Sequence, residues 1–598
     1  MCGISGEFRL DRADPDRVRR MGAAMAKRGP DGDGFFLSPC SRVALSHRRL
    51  AIRDLGSPGA QPFLSEDGQV ALVFNGAIVN DVELRSDLEK EGHVFRTRSD
   101  TEVLLRAYLA WGDGCVARLR GFFAFAVWDA RRQRLLLARD RFGEKPLYYR
   151  WGEGEISFAS DLRAFRDADG RHPPIDPLGV RSYLLYGYVA APFSIRHGIR
   201  KVRPGHILIC GGGAMFEKPY WRLPSDRIDV PQVEASRRVA DLLEEAVRLR
   251  LRSDVPVSLL LSGGVDSSAV ASHLGAESGR VSAVTVRFGV PAAAGSIARE
   301  VAGRFALGSW REVPMGPGDL EEEISLAVGA YDEPLASSAA LSTLRLCREA
   351  ACHGKVALGG EGGDELFLGY GHYASFSRWR AWRAWISRVG AGNLGAGGPS
   401  LRTLSRDPLR RYRSLLCPAF DEAEVDSLLG PDEDGEWETR DPFRLHDDPS
   451  LDPLRRAQRL DLLTLLPDAL LSKADRASMA HGLEIRLPFL DHALAEFVLR
   501  LPTERIVPGG VPKGLLRRHL GGRVPPSVLK APKEGFSLPF LEAIDPEVSR
   551  TLGTRLVEAA IPGLSLKGVP RIAAERGERA RAQRWMLYVL ARWHAAWR

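Results

Sequence analysis

Apolar and polar positions recur with different periods along the chain, and the change of period divides it. Up to about residue 210, short segments rich in β-branched and aromatic residues predict strands: Val70 to Phe74, ended by an Asn75-Gly76 turn, then Phe122 to Trp128, Arg134 to Arg139 and Leu147 to Arg150. Between them, Asp100 to Trp111 carries Val103, Leu104, Ala107 and Tyr108 at helical spacing. A layered α+β domain is expected.

A linker is expected over 211–230, where the chain runs through three glycines and then Tyr-Trp-Arg-Leu-Pro. Val233 to Leu251 follows as an amphipathic helix with Val239, Leu242, Leu243 and Val247 on one face. Next comes an apolar strand, Val255 to Leu261, which runs straight into SGGVDSS and a helix over Ala269 to Leu274. Strand, glycine loop and helix open an α/β nucleotide-binding unit. Two more strands, Val281 to Val286 and Val356 to Leu358, the latter entering GGEGGDELF, predict a parallel sheet. The chain from about Tyr370 reads as mostly helical, with a Gly/Pro-rich, charged and flexible stretch between Gly390 and Ser450. The expected domains are therefore 2–210 and 231–598. In RWRAWRAW, Trp379, Trp382 and Trp385 recur every three residues, as the buried stripe of a helix or, alternatively, a partner surface.

Composition narrows the classes. A chain of 598 residues is too long for one core, and its 44% hydrophobic and 27% charged residues exclude disorder. No apolar run approaches the roughly 18 residues of a membrane span. The 84 basic and 76 acidic residues leave only +8, and the arginines are scattered, so neither nucleic acid nor membrane is an expected partner. Seven cysteines without a CxxC pair suggest neither zinc nor disulfides, and MCGISGEFRL lacks the basic start and apolar stretch of a signal peptide. The expected setting is cytoplasmic.

Two features carry chemistry. Cys2 would become the amino-terminal residue once Met1 is removed, and its α-amine could then serve as base for its own thiol. Taken alone, Cys2 is equally a small residue following Met1. The SGGVDSS loop, Ser262 to Ser268, offers backbone N–H groups to an anion, and since no GxxxxGK[ST] is present there, γ-phosphate transfer is not its expected chemistry.

In the first domain MCGISG, RGPDGDG from Arg28, SHRRLAIRDL from Ser46, NGAIVN from Asn75, RSDTE from Arg98 and RDRFGEKPLYY from Arg139 resemble the glutaminase domain of glutamine-dependent asparagine synthetases. In the second, SGGVDSS, GGEGGDELFLGY from Gly359, LSKADRASMAHGLEIRLPFLDH from Leu471, VPKGLLRRHL from Val511 and KAPKEGFSLP from Lys530 resemble their synthetase domain, in the family order. The resemblance implies an N-terminal nucleophile fold of αββα layers, followed by an α/β parallel-sheet ATP-pyrophosphatase domain with a largely helical C-terminal part. It implies that Cys2 attacks glutamine, that Asn75 and Gly76 form the oxyanion hole, and that Arg49 and Asp100 bind the substrate α-carboxylate and α-ammonium. In the second domain it implies that Leu261, Ser262, Gly263, Gly264, Asp266, Ser267, Val286, Gly359 and Gly360 bind ATP. Asp266 and Asp364 would hold Mg²⁺, Lys513 would neutralise the phosphates, and Glu361 would attend the acyl-adenylate.

Ala77 stands where the family carries a glutamate that helps to bind the α-ammonium, and the segment Pro291 to Gly295 departs from the family's acidic residues. The reaction expected from the resemblance is conversion of aspartate to asparagine through aspartyl-AMP, with ammonia from glutamine. Glutamine, ATP and aspartate or another carboxylate are then the substrates, and a homodimer is left open. Two alternatives stand beside it: a relative that activates another carboxylate and closes an intramolecular amide, as β-lactam synthetases and lasso-peptide cyclases do, and a non-catalytic scaffold on the same fold.

Overall fold

The computed structural model describes residues 2–56, 59–170, 172–288, 293–378, 407–531 and 538–598. The first part of the chain supplies twelve strands: β1 (Gly3–Phe8), β2 (Gly32–Leu37), β3 (Val43–Arg49), β4 (Phe63–Leu64), β5 (Val70–Ile78), β6 (Gly121–Asp129), β7 (Arg134–Arg139), β8 (Tyr148–Gly152), β9 (Glu155–Ala159), β10 (Ile199–Lys201), β11 (His206–Gly211) and β12 (Ala214–Pro219). They form two antiparallel sheets, β10-β8-β9-β1-β3-β2 and β12-β11-β7-β6-β5-β4. Alternate residues meet between the sheets: Ile4, Phe8, Val43 and Leu45 from one pack with Val73, Ala126, Trp128 and Leu137 from the other. The opposite face of β5 and β6 carries Leu72, Phe74 and Phe125 against Leu84, Val103 and Leu104 of the helices Asp81–Lys90 and Asp100–Trp111. Helix Pro15–Ala23 covers the outside of the other sheet through Val18 and Met21. The layers run αββα, as expected.

The expected Asn75-Gly76 turn is corrected. β5 continues through both residues to Ile78, with Asn75 opposite Ala124 and Gly76 opposite Phe123. Gly76 has φ +144°, and a Cβ there would lie 2.0 Å from the Phe122 carbonyl oxygen, so the glycine serves close strand approach instead of chain reversal. The expected linker is also shortened at its start. Residues 214–219 are β12, hydrogen-bonded to β11 as the edge of the second sheet.

Helix Gln232–Arg250 leads into the second part, whose five strands among the described residues are β13 (Val257–Leu260), β14 (Ser282–Phe288), β15 (Ser309–Met315), β16 (Val356–Leu358) and β17 (Glu484–Arg486). They form one parallel sheet in the order β15-β14-β13-β16-β17. Helices dominate beyond β16. The flexible stretch expected between Gly390 and Ser450 is corrected over its described portion: helices Pro408–Leu416, Glu422–Leu429, Glu436–Arg440 and Pro442–His446 bury Tyr412, Val425, Trp437 and Phe443. Aspartates cap three of them, at Asp407, Asp421 and Asp441, so what reads as polar interruption is helix punctuation. Trp379, Trp382 and Trp385 lie outside the described residues. No helix among the described residues is long and apolar enough to cross a membrane.

The two parts share one continuous apolar core, which extends from Val18 and Phe165 to Leu471 and Trp593. Buried charge crosses the same boundary. Arg28 donates two hydrogen bonds to Asp475, at 2.8 and 3.2 Å; Asp475 also accepts from Arg476 at 2.7 Å, and Arg476 donates twice to Asp332 at 2.6 Å. All four side chains are buried. Burial would push the Asp475 carboxyl up, but Arg28 and Arg476 outweigh it and hold it at about 2. Because that value lies below the ordinary 3.8, the stabilisation is present at neutral pH and is lost as the pH falls from the carboxylate range toward 2. Asp475→Asn leaves two buried guanidinium groups short of a counter-charge and is expected to destabilise the chain by about 3–5 kcal/mol, read as a lowered midpoint in urea unfolding.

Candidate active site

Cys2 stands immediately before β1, and the central pairing of the two sheets brings β5 to it. The Cys2 backbone N–H donates to Asn75 Oδ1 at 2.9 Å. That bond orients the amide and leaves Asn75 Nδ2 buried without a hydrogen-bond partner among the described residues. A buried donor without a partner is unfavourable until an acceptor arrives, and an oxyanion beside Cys2 would be such an acceptor.

A cleft opens here, lined among others by Cys2, Arg49, Gly76, Ala77, Asp100 and Glu484. Ser99 caps helix Asp100–Trp111 by accepting from Thr101 N–H, which starts the helix at Asp100 and sets that carboxylate at the cleft. Asp100 accepts from the Ile78 N–H at 2.9 Å; burial raises its carboxyl, against the pull of Arg53. Arg49 is held through the Gly56 and Asp54 carbonyls at 2.7 and 2.5 Å. Burial pushes the Cys2 thiol up, despite a hydrogen bond from Leu50 and the charge of Arg49. At neutral pH a thiol so placed is protonated, and attack requires a base. Ala77 packs with Val79, Phe122 and Leu249, so its wall of the cleft is apolar where the family's glutamate would stand.

The second cluster lies at the C-terminal ends of β13, β14 and β16. Chain order reverses between β13 and β16, the switch point at which open α/β sheets bind ligands. Ser262 to Gly264 form a tight loop before helix Val265–Ala271: the Ser262 and Ser267 hydroxyls are 3.0 Å apart, and the Gly264 N–H donates to Ser262 Oγ at 3.3 Å. The helix begins four residues before the expected Ala269, directly in the loop. Gly263 takes φ +75°. Leu261 N–H donates to the Val284 carbonyl at 2.9 Å, two residues before Val286.

Gly359 and Gly360 bring the next loop against this helix, since a Cβ at Gly360 would lie 3.0 Å from Ser267 N. A Cβ at Gly363 would fall 2.5 Å from Asp266 Oδ1, so the second loop fixes the first loop's carboxylate. Lys513 Nζ then joins Asp266 at 2.5 Å and Asp364 at 2.7 Å. Burial disfavours the ammonium, but the two aspartates outweigh it and hold Lys513 charged. Its backbone sits at φ +55°, a strained setting for a non-glycine residue and one that accompanies functional placement. Glu361 belongs to the same loop and folds back over Gly359.

The structure thus gathers the expected residues into two clusters, Cys2, Arg49, Asn75, Gly76 and Asp100 in one, and Leu261 to Ser267, Val286, Gly359 to Glu361, Asp364 and Lys513 in the other. Sequence reading missed residues that join them. Arg28 Nε donates to the Cys2 carbonyl at 3.3 Å while its other nitrogens hold Asp475 of the second part. Glu484 and Arg486 of β17 line the Cys2 cleft. Both lie in LSKADRASMAHGLEIRLPFLDH, a motif whose signal was visible but whose contact with the first domain was not.

A cysteine beside an oriented amide stands in the first part of the chain, a glycine loop at the switch point of a parallel sheet stands in the second, and buried charge joins the two parts. Residues 1–221 match the glutamine amidotransferase domain family, and residues 238–595 match the asparagine synthase family. The chain is 32% identical to asparagine synthetase [glutamine-hydrolyzing] 1 of Bacillus subtilis over 90% of its own length and 87% of that protein. It is also 32% identical to amidase chry2 of Gibberella zeae, with 80% and 77% covered, and 30% identical to amidase chyE of Penicillium rubens, with 79% and 76% covered. The chain belongs to the glutamine-hydrolysing asparagine synthetase family, a family of ATP-dependent carbon–nitrogen ligases.

Gly363→Ala would press on Asp266 and displace it by a fraction of an ångström or more. The expected result is a fall of about a hundredfold in pyrophosphate release with glutamine hydrolysis retained, measured in parallel on one preparation.

Proposed function

We propose that the chain makes asparagine from aspartate, glutamine and ATP, with residues 2–210 as the glutaminase and 231–598 as the synthetase. The observation that carries this reading is the alignment of Asn75 by the Cys2 backbone, with its second amide donor left for an oxyanion. Removal of Met1 converts the Cys2 nitrogen into an amine that can take the thiol proton. The thiolate attacks the side-chain carbonyl of glutamine, the oxyanion is received by Asn75 Nδ2 and Gly76 N–H, and collapse, with the proton passed from the Cys2 ammonium to the leaving nitrogen, expels ammonia and leaves a glutamyl thioester. Water then releases glutamate. Arg49 takes the substrate α-carboxylate and Asp100 its α-ammonium.

At the second site, ATP lies along Leu261 to Ser267, Val286 and Gly359-Gly360, and aspartate attacks its α-phosphorus to form aspartyl-AMP and pyrophosphate. Asp266 and Asp364 suit Mg²⁺, because two hard carboxylates already converge on a single cation, the Lys513 ammonium, and phosphate oxygens would complete the set. When bound, the ion would neutralise phosphate charge. Lys513 offsets the negative charge that builds up on the leaving pyrophosphate, and Glu361 accepts a proton from ammonia as the amide forms.

A second reading keeps this chemistry but activates a different carboxylate, and the amidase names among the relatives favour it. One experiment separates the two. With aspartate, ATP and Mg²⁺, the unsubstituted enzyme is expected to release pyrophosphate and form asparagine from either glutamine or ammonium. Cys2→Ala is expected to abolish the glutamine reaction and leave the ammonium reaction unchanged. No pyrophosphate with aspartate from either nitrogen source would favour the second reading.

A further inference from the structure

The glutaminase cleft is not walled by its own domain alone. Glu484 and Arg486, both buried, enter its lining from β17 in the parallel sheet of the other domain. Arg486 is fixed by its donors to the Arg250 and Arg252 carbonyls, at 2.8 and 2.7 Å, and it donates to Glu484 Oε1 at 2.7 Å. The carboxylate of Glu484 is therefore held in place before any substrate arrives.

The charge balance of the cleft gives this carboxylate a task. Arg49, Arg53 and Arg486 bring three guanidinium groups to the lining. Against them the glutaminase domain offers Asp81, which is taken up by Arg53 at 2.7 Å, and Asp100, one of whose oxygens already receives the Ile78 N–H. Position 77 offers only a methyl group engaged with Val79, Phe122 and Leu249. An incoming amino acid brings a carboxylate that suits the arginines and an ammonium that one aspartate would have to hold among them. We propose that Glu484 of the synthetase domain is the second carboxylate for the α-ammonium of glutamine, in the role that Ala77 cannot fill. This inference rests on the glutaminase reading above.

Glu484 lines the same cleft as Cys2 and Asp100 and acts electrostatically on both. Burial would raise its own carboxyl, but the positive charges around it, Arg486 and Lys145 among them, hold it low, so it is ionised at neutral pH. Glutamine specificity then depends on a residue that reaches the cleft only when β17 is docked against the first domain.

The test uses the full chain and two substrates, glutamine and glutaramate, which has the same side-chain amide and carboxylate but no α-amino group. Glu484→Gln is expected to raise KM for glutamine by about ten- to a hundredfold, the size of one charge-assisted hydrogen bond. For glutaramate KM is expected to stay unchanged, and any change in kcat from the altered charge beside Cys2 is expected to be the same for both substrates. Glu484→Asp, which keeps the buried charge, is expected to fall between the two for glutamine and serves where the glutamine variant does not fold; ammonium-dependent pyrophosphate release reports folding in both. Equal rises in KM for the two substrates, a loss confined to kcat, or an unchanged KM for glutamine would overturn the inference while leaving the glutaminase reading intact. Failure of the unsubstituted enzyme to hydrolyse glutamine would overturn both.

Discussion

One buried run of charge holds the two parts of the chain in register. Arg28 touches the Cys2 carbonyl and Asp475 at once, Asp475 is shared with Arg476, and Arg476 is clamped by Asp332. Each member is desolvated, so none can be released without exposing another to an uncompensated charge. Such a run is a poor source of net stability but a strict constraint on registry. It fixes where the second part of the chain sits relative to Cys2, and with it the position of β17 at the Cys2 cleft. Further contacts of the same kind reinforce it: Lys201 of the first part pairs with Glu333 at 2.6 Å, and Asp491 lies between Arg120 and Arg250.

The second site obeys a different constraint, the close approach of backbone to carboxylate. Gly360 and Gly363 admit one loop against the helix that carries Asp266, and Gly369 admits Asp364 and Lys513 in the same way, since a Cβ there would lie 2.1 Å from Asp364 Oδ1 and 2.2 Å from Lys513 Cε. Small residues thereby set the distances between charges. The lysine that bridges the two aspartates offsets their mutual repulsion.

Much of this was legible in the residues. Periodicity located Asp100–Trp111 and Gln232–Arg250 to within a residue or so, and the apolar runs before SGGVDSS and GGEGGDELF marked two strands of the parallel sheet. Local signals failed where tertiary contact overrides them. Asn75-Gly76 has the composition of a turn, yet pairing with β6 carries the strand through it. β17 is only three residues long, too short for any period to show, and its role follows from what surrounds it. The helices between Pro408 and His446 were hidden by their own aspartate caps and prolines, which resemble loop composition until the buried aromatic residues are seen. The partnership of Arg28 with Asp475 spans 447 residues and leaves no local trace.

The central claim is that nitrogen freed at Cys2 reaches the acyl-adenylate made at the parallel sheet. The direct measurement supplies glutamine labelled with heavy nitrogen in its side-chain amide, together with aspartate, ATP, Mg²⁺ and an excess of unlabelled ammonium, and follows the label by mass spectrometry. Asparagine enriched in the label, formed in equal amount with AMP, is the expected result. Asparagine that carries only the unlabelled nitrogen, or glutamate formed with no labelled amide product, would contradict it.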